Sequence, residues 1–263
     1  MEKPRIRMIF MGKSKESVCN AFKYVIDVGV EVIVVVDNEE SSKLRDIARS
    51  FKIPTCSDAD IYGFLEGKKE TNIDLKNIDI VVSFLFPRKI KKPLISLSRL
   101  GCINFHSAPL PKYRGWGVYN AAILNNEQKW GVSAHFVDEE FDTGDIIKVD
   151  YFDIDSKKET AFDLNQRSQE PLLKLFKEIV NMVVSGGSLI KTPQERRAGT
   201  TYNKKETIEH EVINLNDSTN VIDSKIRAFW HPPFAAKIML NGEKYSLINQ
   251  EIMDKIADKY GYV

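Results

Sequence analysis

Residues 6–36, IRMIFMGKSKESVCNAFKYVIDVGVEVIVVV, carry the reading that decides the fold. Residues 6–11 are an apolar run that closes on Gly12. After the polar residues 13–17, Val18, Phe22, Val25 and Ile26 recur at helical spacing on one face. Gly29 follows, where a helix C-terminus takes a left-handed residue. Residues 30–36 form a β-branched run that stops at Asp37-Asn38, the pattern of a strand covered on both faces. Strand, helix and strand in so short a span predict an α/β domain with a mostly parallel, Rossmann-like sheet. The glycine after the first strand is a single Gly12 and not G-x-G-x-x-G, so dinucleotide binding is poorly supported.

Outward from this unit the alternation continues. Residues 42–51 read as a helix, 53–55 as a short strand and 78–84 as an apolar strand, while 60–75 fits loop or helix equally. Within 101–147, a short apolar run, Cys102-Ile103-Asn104-Phe105, delivers His106 to a strand end. A loop with Pro109, Pro111, Gly115 and Gly117 follows, then a helical piece over 118–124. A strand over 132–137 next runs into an acidic turn closing on Asp142-Thr143-Gly144. Asn104 and His106 are two apart, so on a strand both face the same way. Asp142 lies 36 positions beyond His106 (142 − 106), room for one helix and one strand. That is the content of a crossover returning the chain to the same edge of the sheet, with all three residues at carboxyl ends of neighbouring strands.

Residues 146–152 read as a further strand and 161–185 as a long amphipathic helix stopped by Gly186-Gly187. The polar stretch 192–203 is the expected boundary between a catalytic domain, 1–192, and a small C-terminal β-containing subdomain, 203–263. The latter holds a short strand near Val212, a helix over 218–230 and a hairpin turning on Asn241-Gly242.

At 263 residues and 43% hydrophobic, the chain can bury a substantial core. With 38 basic and 37 acidic residues it has no electrostatic footprint for nucleic acid or an anionic membrane. Cys19, Cys56 and Cys102 are too scattered for a disulfide framework or a zinc site. No apolar window reaches membrane length and the N-terminus lacks a signal-peptide run, so a soluble, cytoplasmic protein is expected. There is neither G-x-S-x-G nor a Walker loop, which argues against serine hydrolysis and nucleotide hydrolysis.

Several motifs occur in order: Asn104-Phe105-His106, residues 110–115 (LPKYRG), Gly131-Val132 and Asp142-Thr143-Gly144-Asp145. Together they resemble the catalytic core of the formyltransferases that use N10-formyltetrahydrofolate. The resemblance weakens toward the N-terminus and fades after about Ser185. Singly, each residue has an ordinary explanation: an Asn at a strand end caps a turn, Asp-Thr-Gly makes one, and a lone His is more often structural. Their order, with LPKYRG between, is what makes the match specific.

The resemblance implies Asn104, His106 and Asp142 as catalytic residues, N10-formyltetrahydrofolate as formyl donor, and no metal. The chemistry fits. Formyl transfer to an amine develops an oxyanion and releases a proton. The Asn104 amide can donate to the oxygen without titrating. His106 can exchange a proton near neutral pH. Asp142 beside it would orient the ring and favour its protonated form. His106 is proton acceptor or charged oxyanion stabiliser, and residue identities do not separate the two. His135, on the second strand, could suggest a metal site with His106 and Asp142, but lacks H-x-x-x-H spacing.

By the same resemblance Phe86, Arg88, Ile90, Val137, Asp138 and Phe141 are expected at the folate pocket. Phe84 is explained equally by covering the sheet end. Arg114-Gly115-Trp116 is similar to the sugar N-formyltransferases, which implies a nucleotide-linked aminosugar as acceptor, for cell-surface polysaccharide such as O-antigen. Tyr113, Trp116 and Tyr202 are candidates to stack on it, and Arg114 to pair with phosphate. Loop packing accounts for Trp116 equally. Arg227, Trp230 and Phe234 are expected to pack the tail on the main domain, and His210 and His231 to be structural or at the surface. Family members often pair, so a homodimer is an expectation of the resemblance alone. The alternatives are methionyl-tRNA formylation, a non-catalytic folate-binding relative and hydrolysis of the formyl donor.

Overall fold

A computed structural model describes residues 5–195, 198–214, 216–230 and 235–249. His231 and Phe234 lie outside the described residues. The chain begins β1 (Arg7–Gly12), α1 (Glu16–Asp27), β2 (Glu31–Val36), α2 (Lys43–Ser50), β3 (Thr55–Cys56), α3 (Asp58–Leu65), β4 (Ile80–Phe84) and α4 (Lys92–Ile95). It continues β5 (Cys102–His106), β6 (Tyr113–Gly115), α5 (Val118–Leu124), β7 (Lys129–Phe136), β8 (Ile146–Asp153) and α6 (Ala161–Ser185). The remainder is β9 (Thr200–Tyr202), α7 (Lys204–Glu209), β10 (Val212–Ile213), α8 (Thr219–Phe229), β11 (Ala236–Leu240) and β12 (Glu243–Leu247).

Local chemistry explains where these elements start and stop. Gly29, at φ +79°, ends α1 as its position predicts. Ser42 Oγ accepts from the Arg45 amide at 3.1 Å and opens α2. The undecided stretch at 60–75 contains the end of a helix, because Ser57 and Asp60 close a capping box on α3. Asn241 and Gly242 both take positive φ, 51° and 84°, the turn that a two-residue hairpin between twisted strands requires.

The main sheet runs β3-β2-β1-β4-β5-β7-β8, an α/β arrangement that bears out the expected mostly parallel, Rossmann-like class. Pairings among β1, β2, β3, β4 and β5 are parallel. β7 departs from expectation: it pairs antiparallel to β5. The helix and strand after His106 are therefore not a crossover returning a parallel strand, and Asp142 is not at a strand end beside that of β5. β5 and β7 run oppositely, and the turn after β7 brings the Asp142 carboxylate to Asn104 and His106 of β5.

By packing, the residues fall into two units: 1–112, 131–150 and 169–199, and 113–130, 151–168 and 200–263. One changeover, between 199 and 200, falls within the polar stretch 192–203; the others follow packing and not chain order. In the first unit Phe10, Phe22, Phe84, Phe105 and Phe176 form an aromatic cluster with centroids 5.0–6.3 Å apart. Phe84 is fully buried in it and so belongs to the core. In the second unit β6 pairs with β9, and β10, β11 and β12 form a three-stranded sheet. There Asn120 Nδ2 on α5 donates to the Ala228 carbonyl of α8 at 2.7 Å. Arg227, buried, donates to the Ser156 and Glu159 carbonyls, and Trp230 is buried with it, which is packing as expected.

Candidate active site

Sheet register assembles the polar centre. Ser83 on β4 is the parallel partner of Asn104 on β5, and His135 on β7 is the antiparallel partner of that same Asn104. Three polar residues thus cross three strands in one row. Ser83 Oγ donates to Asn104 Oδ1 at 2.7 Å, which turns the amide nitrogen toward β7. Asn104 Nδ2 then lies 3.1 Å from His135 Nε2 and 3.5 Å from Asp142 Oδ1.

The ring of His135 is set by its other nitrogen. Nδ1 is 2.7 Å from the Phe136 carbonyl, which can only accept, so Nδ1 carries the proton. In the neutral ring Nε2 accepts from Asn104; in the imidazolium it donates to Asp142 Oδ1, 3.4 Å away. The second carboxylate oxygen of Asp142 faces His106 Nδ1 at 3.6 Å. One carboxylate therefore sits between two imidazoles, an oxygen toward each, and both side chains of the 106–142 pair are about nine-tenths buried. Both separations exceed ordinary hydrogen-bond length. Among the described residues no group of three or more His, Cys, Asp or Glu side chains is arranged to hold a metal ion.

Two turns hold this centre. Fully buried Ser133, the partner of His106 on β7, donates to the Ala108 carbonyl at 2.7 Å and accepts from the Leu110 amide at 2.9 Å, fixing the loop that leaves His106. In the acidic turn Asp138 Oδ1 accepts from Thr143 Oγ1 at 2.7 Å and from the Glu140 amide at 3.0 Å. Asp138 thus organises the turn through its carboxylate. Gly144 sits where a Cβ would lie 2.0 Å from the Phe136 carbonyl oxygen, so no side chain fits.

The other residues expected at the folate pocket are placed as follows. Ile90 is buried in an apolar cluster with Tyr62, Val81 and Cys102, and Phe86 and Val137 pack against it partly buried. Arg88 faces the Asp58 carboxylate at 3.3 Å. Phe141 is 51% exposed, with Lys89 Nζ 5.4 Å from its ring centroid.

Tyr113, Arg114, Trp116 and Tyr202 belong to the second unit. Tyr113 corrects an expectation. It is 1% exposed, with its ring 4.9 Å from that of Trp130 and stacked at 5.5 Å on Tyr202, and its hydroxyl donates to Glu127. It has no face to offer a ligand. Burial pushes its hydroxyl well above the usual phenol range. Arg114 is also buried. Trp116 is 48% exposed, and its amide donates to the Tyr202 carbonyl at 2.8 Å.

Ser83 escaped the sequence reading, and His135 entered it only as a metal ligand to be set aside. Residue types could have flagged both as polar positions in apolar strands. Their shared row with Asn104 is a matter of register.

The sequence model for formyl transferase matches residues 8–180. The methionyl-tRNA formyltransferase of Agathobacter rectalis is 27% identical over 260 residues, 96% of this chain and 82% of that protein. An N-formyltransferase from Helicobacter canadensis, solved with folinic acid and dTDP-3-aminofucose, superposes with a TM-score of 0.70 at 23% identity, covering 90% of this chain and 85% of that one. A 4-N formyltransferase from Francisella tularensis gives 0.72 at 21% identity, covering 92% and 98%. At these identities the structural likeness speaks for the fold.

Proposed function

This chain belongs to the formyl transferase family and is a formyltransferase, and from that premise we propose that it formylates the amino group of a nucleotide-linked aminosugar with N10-formyltetrahydrofolate as donor. The observation that carries the chemistry is the convergence of Asn104, His106 and Asp142, drawn from β5 and the acidic turn, within 3.6 Å contacts. When bound, the donor supplies an activated formyl carbon whose oxygen gains negative charge as the amine attacks.

The protein's own groups have the following parts. One Asn104 amide hydrogen is engaged by His135 in its neutral form. The second points toward Asp142 at the outer limit of a hydrogen bond, so it is the one that can be given to the developing oxyanion. Asp142 holds His106 through Nδ1, which directs Nε2, on the other side of the ring, to receive the amine proton. Ser83 keeps the Asn104 amide from flipping. The folate ring is assigned to the apolar patch of Phe86, Ile90 and Val137, whose half-buried members leave surface for a ligand, with exposed Phe141 nearby in sequence. Trp116 is kept as the acceptor-contacting aromatic. The sugar acceptor is supported by the Arg114-Gly115-Trp116 sequence with its exposed Trp116, and by the likeness to sugar N-formyltransferases.

The test is a panel of dTDP-, GDP- and UDP-linked aminosugars with formyl donor, read by mass gain of one formyl group. One sugar is expected to turn over. The likeness to the methionyl-tRNA enzyme favours a second reading: turnover of charged methionyl-tRNA with none of any aminosugar would replace the first.

A further inference from the structure

After α6 the chain runs back along the acidic turn. Thr192 and Ile146 exchange backbone hydrogen bonds at 2.8 and 2.9 Å in an antiparallel bridge. Two residues later the Gln194 side-chain amide donates to two carbonyls of the turn, Gly144 at 2.6 Å and Asp142 at 3.0 Å. One NH2 group has two hydrogens, and here both go to the backbone on either side of Thr143. The turn needs holding. Asp142 stands at φ +56°, in the left-handed region that a residue with a side chain enters only when its surroundings impose it. The Asp138–Thr143 bond braces the turn from within, and Gln194 braces it from a segment 52 residues away.

We propose that Gln194 is a positioning residue that holds the Asp142 carboxylate in register with His106 and His135. This rests on the reading that Asp142 serves formyl transfer. The bidentate contact is specific to an amide of this length. Glutamate has the same shape but no hydrogen to give, and would set a charged oxygen against two carbonyls. Methionine has the length but no donor. The polar stretch at 192–203 is then more than a connection: its first residues complete the active site.

The experiment compares the full-length wild type, Gln194→Met, Gln194→Glu, Asp142→Asn and the Asp142→Asn/Gln194→Met double variant. Gln194→Met is expected to lower kcat about ten- to a hundredfold, the range seen when a group that orients a functional side chain is removed. KM for both substrates should change little, and Gln194→Glu should be worse than Gln194→Met. In the Asp142→Asn background the Met substitution should cost nothing further, because coupled residues are not additive. Full activity in Gln194→Met, or an equal loss in both backgrounds, overturns the proposal. Amide hydrogen exchange of 142–145 in the ligand-free protein gives a readout independent of substrate. It should rise in Gln194→Met while amides of β1 and β4 stay protected, and unchanged exchange also overturns the proposal. If the wild type formylates no acceptor, the functional reading fails while exchange still decides the clamp. If Gln194→Met does not fold, Gln194→Ala carries the same comparison.

Discussion

The Asp142 carboxylate lies between two groups of β5, with one oxygen 3.5 Å from Asn104 Nδ2 and the other 3.6 Å from His106 Nδ1. Replacing His106 with Asn should lower kcat about 10²–10⁴-fold, the usual contribution of a positioned acid–base group, with KM for the acceptor little affected. Replacing Asn104 with Ala should lower it about 10²–10³-fold by removing an oxyanion donor. Steady-state kinetics with the acceptor found in the panel checks both, and an active His106→Asn enzyme would remove the imidazole from the mechanism. The cysteines stand apart from this chemistry. All three are buried; burial pushes the Cys56 thiol up to about 12 and raises those of Cys19 and Cys102. A thiol-specific reagent should leave the native protein unmodified and label all three in denaturant.

Among the elements, the acidic turn is the sharpest case. A Cβ on Gly144 would overlap the Phe136 carbonyl, backbone that has no cheap way to yield. Gly144→Ala should therefore displace Asp142 and abolish turnover while the melting temperature falls only modestly. The start of α3 gives a stability test. Ser57→Ala should cost about 1 kcal/mol, as loss of a helix cap does, measured by urea unfolding. Its partner Asp60 is held well below the usual carboxylate range, at about 2, first by the hydrogen bond from Lys69 and then by Ser57. A group whose folded value is depressed stabilises the protein above its unfolded value and loses that contribution as pH falls through the folded one. Thermal stability of Asp60→Asn should thus fall less steeply than wild type between about pH 4 and 2.

At the scale of the whole molecule the aromatic cluster joins rings from β1, β4 and β5 to rings from α1 and α6. Phe84 and Phe105 lie on the strands that carry Ser83 and Asn104, and both rings pack edge-on to Phe176 of α6. Phe176→Ala should cost about 3–5 kcal/mol. By urea unfolding this would appear as a lower midpoint with an unchanged slope. Among the described residues no helix is long and apolar enough to cross a membrane.

By itself the amino-acid order determined most of the strand–helix succession, the glycine that ends α1, the Asn241-Gly242 hairpin and the identity of the three motif residues, because propensity, periodicity and turn chemistry act over a few neighbours. Tertiary structure alone decided the rest. The antiparallel β7 made Ser83, Asn104 and His135 one row; packing withdrew Tyr113 from any ligand; and the return of the chain set Gln194 on the Asp142 turn. Each depends on register or on approach between distant segments, and a strand shifted by one residue would present its other face with the same letters.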